Sequence, residues 1–153
     1  MVAGAGADND TGLFASTYLG AGHGSFTLKQ TNDLGTGSIK GEIALGDLNA
    51  DGNLDVAFPQ SSKLIMRGDI STTVLTFMGD GTGNLTAGPS ITVGQEPDTA
   101  VASDLNKDGH VDLVVSNRTD ATVSILLGNG DGTFATHATI PIATLPAPGI
   151  AAN

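Results

Sequence analysis

Apolar residues in this chain gather into short stretches, each broken after a few positions by glycine, aspartate or asparagine. β-type stretches at 14–19, 73–78 and 122–127 each lead into a glycine-rich turn, and strand-like segments follow around 27–31, 90–93 and 138–142. Shorter apolar stretches at 43–45 and 100–102 precede two acidic loops, and 56–58 and 113–115 follow them. β-formers alternating with turn-formers in this way specify strands joined by tight turns. One unit therefore reads strand, acidic loop, strand, linker, strand, glycine turn, strand. Four short antiparallel strands per repeat is the pattern of a β-propeller blade, so the expected fold is all-β, with about two complete blades and partial ones beside them.

The glycine turns are Gly20-Ala21-Gly22-His23-Gly24, Gly79-Asp80-Gly81-Thr82-Gly83 and Gly128-Asn129-Gly130-Asp131-Gly132. Each follows an apolar residue (Leu19, Met78, Leu127) and precedes an apolar anchor (Phe26, Leu85, Phe134). Alternate glycines suit a tight connection between antiparallel strands. A phosphate-cradling loop is disfavoured, because no Lys-Ser or Lys-Thr pair and no helix-forming stretch follows. Asp104 stands 57 positions after Asp47, whereas Gly79 follows Gly20 by 59 and Gly128 follows Gly79 by 49. The first complete unit thus carries extra residues between its second and third strands, within 59–72, where a surface loop is expected. The expected division is a partial blade at about 12–40, blades at about 41–95 and 98–143, and the start of another at 145–153. Opening inside one unit and stopping where a third acidic loop would begin is the pattern of a segment from a longer array.

The acidic loops carry the chemistry. Asp47-Leu48-Asn49-Ala50-Asp51-Gly52-Asn53-Leu54-Asp55 and Asp104-Leu105-Asn106-Lys107-Asp108-Gly109-His110-Val111-Asp112 share the form D-L-N-x-D-G-x-x-D. Ca²⁺ takes about six to eight oxygen ligands, and oxygen side chains at loop positions 1, 3, 5 and 9 can be aimed at one point by a turn. The glycine at position 6 supplies a backbone conformation that a side chain resists. Asn53 and His110, at position 7, are expected to offer backbone carbonyls and not side chains. Acidic turns are common in proteins generally, but two with identical spacing point to two Ca²⁺ sites.

Charge and composition narrow the partners. The formal net charge is −10, with Lys and Arg numbering 6 against 16 acids, six of them in the two loops. Such a surface disfavours nucleic acid and anionic membranes. No apolar run approaches the roughly 18 residues of a membrane span. No secretory leader is visible at the N-terminus, and the extracellular or cell-surface setting expected here rests on the calcium reading. With no cysteine there is no thiol nucleophile, no G-x-S-x-G elbow is present, and the scattered His23, His110 and His137 lack zinc spacing. The paired carboxylates are better explained as metal ligands than as acid–base catalysts, so no enzymatic activity is expected. Arg67, Gly68 and Asp69 form an RGD tripeptide inside the extra segment, a candidate recognition site for a cell-surface protein.

The acidic loop, the strand after it and the downstream L-G-x-G-x-G-x-F signature together resemble FG-GAP-type repeats. These repeats build the propeller of integrin α-subunit heads and occur in VCBS-type repeats of secreted bacterial proteins. The resemblance runs from about Phe14 to Asn153. It implies Ca²⁺ in the hairpin joining a blade's first two strands, held by Asp47, Asn49, Asp51 and Asp55 and by Asp104, Asn106, Asp108 and Asp112. Dockerin, thrombospondin-type, RTX and EF-hand loops fit less well, for want of following helices, cysteines, tandem repetition or a glutamate at position 12. The family's propellers usually close with about seven blades, so self-association or further blades are expected here. The function expected is a non-catalytic calcium-binding interaction or adhesion module with a protein or cell-surface ligand. The alternative is a carbohydrate-binding or accessory module of a secreted enzyme, weakened by the low aromatic content, with Tyr18 the single tyrosine and no tryptophan.

Overall fold

The computed structural model describes residues 2–7, 13–35, 41–61 and 70–142. Every regular element among them is a strand: β1 (Val2–Ala7), β2 (Leu13–Gly22), β3 (Ser25–Gly35), β4 (Ala44–Gly46), β5 (Asp55–Gln60), β6 (Thr73–Gly79), β7 (Leu85–Ala87), β8 (Ile91–Thr92), β9 (Pro97–Ser103), β10 (Asp112–Asn117), β11 (Thr122–Gly128) and β12 (Phe134–Pro141). All pairings are antiparallel and form three sheets. The first runs β1-β2-β3, the second β4-β5-β6-β7 with β8 also on β6, and the third β9-β10-β11-β12. The two complete units are therefore the second and third sheets, in meander order, which is the blade architecture read from the sequence.

Period-two alternation decides which way each residue faces. Val56 and Phe58 of β5, with Phe77 and Leu85, pack against Leu13, Ala15 and Leu34 of the first sheet. Phe58 and Phe77 meet edge to face, ring centres 5.7 Å apart. Ala57, between them, turns the other way and joins Ala44, Leu48 and Val74 against Ala100, Leu113, Val115 and Leu126 of the third sheet. The middle sheet is thus buried on both faces, and the protein is a stack of sheets with one apolar layer at each junction. Polar bonds cross the same junctions. Ala100 N–H donates to the Glu42 carbonyl at 3.0 Å, and Thr17 Oγ1 donates to the Gly83 carbonyl at 2.7 Å.

Three details differ from the sequence reading. The strands after the glycine turns begin earlier than expected, at Ser25, Leu85 and Phe134, while the segment expected at 90–93 holds a further short strand, β8, paired with β6. The cause is that each apolar anchor already pairs with the strand before the turn: Leu85 lies opposite Gly79, and Phe134 opposite Gly128. Pro59 is not part of a surface loop but a buried residue of β5, opposite Val74, so the extra residues lie after it. A strand at Val2–Ala7, built only from Val, Ala and Gly, pairs with β2 in a place where no strand was expected. Residues 62–69, which contain the RGD tripeptide Arg67-Gly68-Asp69, lie outside the described residues, as does 145–153.

Candidate functional site

Each acidic loop closes on itself through its own acids. In the loop before β5, Asp47 accepts the N–H groups of Asp51 at 3.0 Å and Gly52 at 2.8 Å. Asn49 Oδ1 shares the Asp51 N–H at 3.1 Å, so one amide holds the oxygens of positions 1 and 3 together. Asp51 accepts the Asn53 N–H at 2.8 Å and the Asn49 side-chain amide at 3.0 Å. The loop before β10 repeats the pattern. Asp104 accepts from Asp108 and Gly109, Asn106 from Asp108, and Asp108 from His110 and the Asn106 amide. These donors favour the ionised acids, and both Asp51 and Asp108 are held below the usual carboxylate range. For Asp51 the Asn49 side chain contributes most, for Asp108 the His110 N–H.

The backbone of both loops turns left-handed at the same two places. Gly52 and Gly109 have φ of 85° and 90°, as position 6 demands, and Ala50 and Lys107 at position 4 have φ of 58° and 65°. The second feature was not anticipated, because nothing about alanine or lysine marks a left-handed position. A non-glycine residue held there in both copies costs energy that the surrounding hydrogen bonds must offset.

Position 9 behaves differently from positions 1, 3 and 5. Asp55 is fully buried. One of its oxygens accepts the Leu48 N–H at 2.8 Å and the other the Gly79 N–H at 2.7 Å. Asp112 does the same with Leu105 at 2.8 Å and Gly128 at 2.9 Å. The acid at the end of each acidic loop is therefore clasped by the first glycine of the glycine turn. Burial pushes the Asp55 carboxyl up, the Gly79 and Leu48 amides pull it partly back, and the charges of Asp51 and Asp47 add to the rise.

The two signatures, separate and out of phase in the sequence, thus form one structure at one end of the second and of the third sheet. In these two sheets all three glycines of the turn have a reason. A Cβ on Gly79 or Gly128 would strike the carbonyl of Leu54 or Val111 at loop position 8. One on Gly81 or Gly130 would strike the side chain of Asn53 or the ring of His110. The side chains of Asn53 and His110 therefore lie against the glycine turn. His110 Nδ1 is buried there without a hydrogen-bond partner. The third glycines, Gly83 and Gly132, lie against Leu19 and Met78 of the preceding sheet, where a Cβ would come within 2.7 Å and 2.9 Å.

Of the ten loop residues proposed as ligands, the structure joins positions 1, 3 and 5 by shared amides and turns position 9 onto the glycine turn. Among the described residues no three His, Cys, Asp or Glu side chains stand together at the spacing of a metal cage. Each clasped carboxylate oxygen still has a second lone pair, since an ionised carboxylate offers about four acceptor sites. The donor set is oxygen throughout, which suits a hard cation. Sequence reasoning missed Gly79 and Gly128 as partners of the acids. The signal was present in the strict pairing of one glycine turn with each acidic loop.

Antiparallel meander sheets, stacked face to face and closed at one end by an acidic loop on a glycine turn, define a blade-type repeat protein. Residues 104–152 match the family model of the FG-GAP-like repeat. Searches of curated proteins and of solved structures gave no match. Among the described residues no helix is long and apolar enough to cross a membrane.

Proposed function

We propose that the chain is a non-catalytic Ca²⁺-binding module of β-propeller type, serving extracellular interaction or adhesion. Two ions would be held, one by Asp47, Asn49, Asp51, Asp55 and the Asn53 carbonyl, the other by Asp104, Asn106, Asp108, Asp112 and the His110 carbonyl. The observation that carries this reading is a geometry repeated in both loops, where a single amide, the Asp51 N–H in one and the Asp108 N–H in the other, holds the side-chain oxygens of positions 1 and 3 together beside the acid of position 5. Such an arrangement gains most from a cation, because three acids are held by neutral amides alone. Bound Ca²⁺ would neutralise the acids and tie the loop to its glycine turn, so that metal binding adds to folding stability. The stiffened ends of the sheets then serve as a platform for a protein or cell-surface ligand. Self-association or further blades would complete the stack.

Isothermal titration of the metal-free chain with CaCl₂ near neutral pH tests this. The expected result is two sites, one lost in Asp51→Ala and the other in Asp108→Ala, with a chelator-sensitive melting temperature. Absence of binding heat together with an unchanged melting temperature would overturn the reading.

A further inference from the structure

The junctions between sheets follow a rule that leaves the two ends of the stack complementary. The residue just before a glycine turn lies against the third glycine of the next sheet's turn: Leu19 against Gly83, and Met78 against Gly132. The repeat-equivalent of Leu19 and Met78 in the third sheet is Leu127, on the face opposite its neighbour Leu126, which points into the core. The equivalent of Gly83 and Gly132 in the first sheet is Gly24, whose φ is +77° and which has nothing within 4 Å of the place a Cβ would take. The glycine socket of the first sheet thus lacks the apolar neighbour that its two counterparts have.

The surfaces around them show the same deficit. On the outer face of the third sheet, Val101 is 54 % exposed where its equivalent Ala44 is 3 %, and Leu105 is 46 % exposed where Leu48 is 1 %. On the outer face of the first sheet, Phe26 is 57 % exposed where its equivalent Leu85 is 2 %. Tyr18 sits beside Phe26 on that face, at the position that the buried Phe77 fills in the second sheet. Large apolar side chains exposed in a contiguous row mark a contact surface. The buried junctions already show what covers such a row.

We propose that these two faces pair with each other between two copies of the chain, head to tail. Leu127 of one copy seats against Gly24 of the next, and Tyr18 and Phe26 cover Val101 and Leu105. The contact continues the register of the two junctions inside the chain. It rests on the stacking of repeat sheets in the proposed function but does not require Ca²⁺. A heterologous contact of this kind closes into a ring or grows as a chain, depending on the rotation per copy. With a net charge of −10 on each copy, salt should promote the association by screening.

The test is sedimentation velocity of the full chain over a range of concentrations, with Phe26→Asp and Leu105→Asp as variants. Both sites are exposed, so the monomer fold should survive, which circular dichroism checks. The wild type is expected to sediment at multiples of 15.2 kDa. Each variant alone should be monomeric, and an equimolar mixture of the two should recover a dimer, because each copy keeps the face that the other has lost. Three outcomes would overturn the proposal: a monomeric wild type, a variant that associates by itself, or a mixture that stays monomeric. A monomeric wild type that still takes up Ca²⁺ overturns this inference alone. Association without Ca²⁺ uptake overturns the calcium reading alone.

Discussion

The loops at 47–55 and 104–112 have nearly the same sequence and share most of their internal hydrogen bonds, yet their second residues meet opposite fates. Leu48 is buried against the third sheet, and its carbonyl accepts the Gly132 N–H at 3.0 Å. Leu105 stands half in solvent. The clasp that ties Asp55 to Gly79 and Asp112 to Gly128 is formed within a single sheet, so both loops have it. Burial of the leucine is supplied by the next sheet, so only one loop has that. Two kinds of stability are therefore layered here. One is local to each sheet and independent of position in the stack, while the other comes from neighbours and is smaller at the ends, as in repeat proteins generally.

This division makes the clasp the stronger test. Asp55→Ala would strand two buried amide donors, at about 2 kcal/mol each, and should destabilise the chain by about 4 kcal/mol in urea unfolding. If the clasp is local to its sheet, Asp112→Ala should cost a similar amount despite its place in the outermost sheet. A neutral Asp112→Ala would show that the clasp needs a covering sheet, and the comparison would fail. The leucines should separate the two loops instead. Leu48→Ala removes a fully buried side chain and should cost about 3 kcal/mol, whereas Leu105→Ala should fall within about 0.5 kcal/mol, as surface changes do. The second value applies to dilute protein, below any association of copies.

The sequence displayed the strands and the loops because their determinants are local: β-formers in short stretches, and Asp, Asn and Gly where the chain turns. The oxygen side chains of the acidic loops were legible one by one for the same reason. The clasp was not, since Asp55 and Gly79 lie 24 residues apart and their contact depends on β5 and β6 pairing first. Nor was the left-handed backbone at Ala50 and Lys107, which the hydrogen bonds of Asp47 and Asp104 impose on residues with no preference for it. The start of the last strand in each unit was misplaced because Leu85 and Phe134 read as turn anchors, although each pairs opposite a glycine. Leu48 and Leu105 make the limit plain. Identical local sequence cannot say which of the two will have a neighbour.

The smallest effect concerns the glycine turns, which differ in where they place their acid. The second sheet has Asp80 at the second position of its turn, accepting from the Thr82 N–H and hydroxyl at 2.8 Å each, the Asn84 N–H at 3.1 Å and the Asn84 side-chain amide at 2.7 Å. The third sheet has Asn129 there and Asp131 two residues on, where Thr133 donates through its N–H and hydroxyl. Both acids are held below the usual range, Asp80 chiefly by the Asn84 side chain and Asp131 chiefly by the Thr133 side chain. A lowered folded-state value means the stabilisation is fully present above the unfolded carboxylate value of 3.8 and fades as pH falls toward the folded one. Both turns should therefore be indifferent to pH near neutrality and loosen only in acid below that value. A carboxyl ¹³C titration should place both midpoints below 3.8. Asn84→Ala should move Asp80 upward and leave Asp131 unchanged, since the two turns belong to different sheets. An equal shift at Asp131 would mean that the sheets communicate through their turns, and the separation of local clasp from neighbour burial would have to be abandoned.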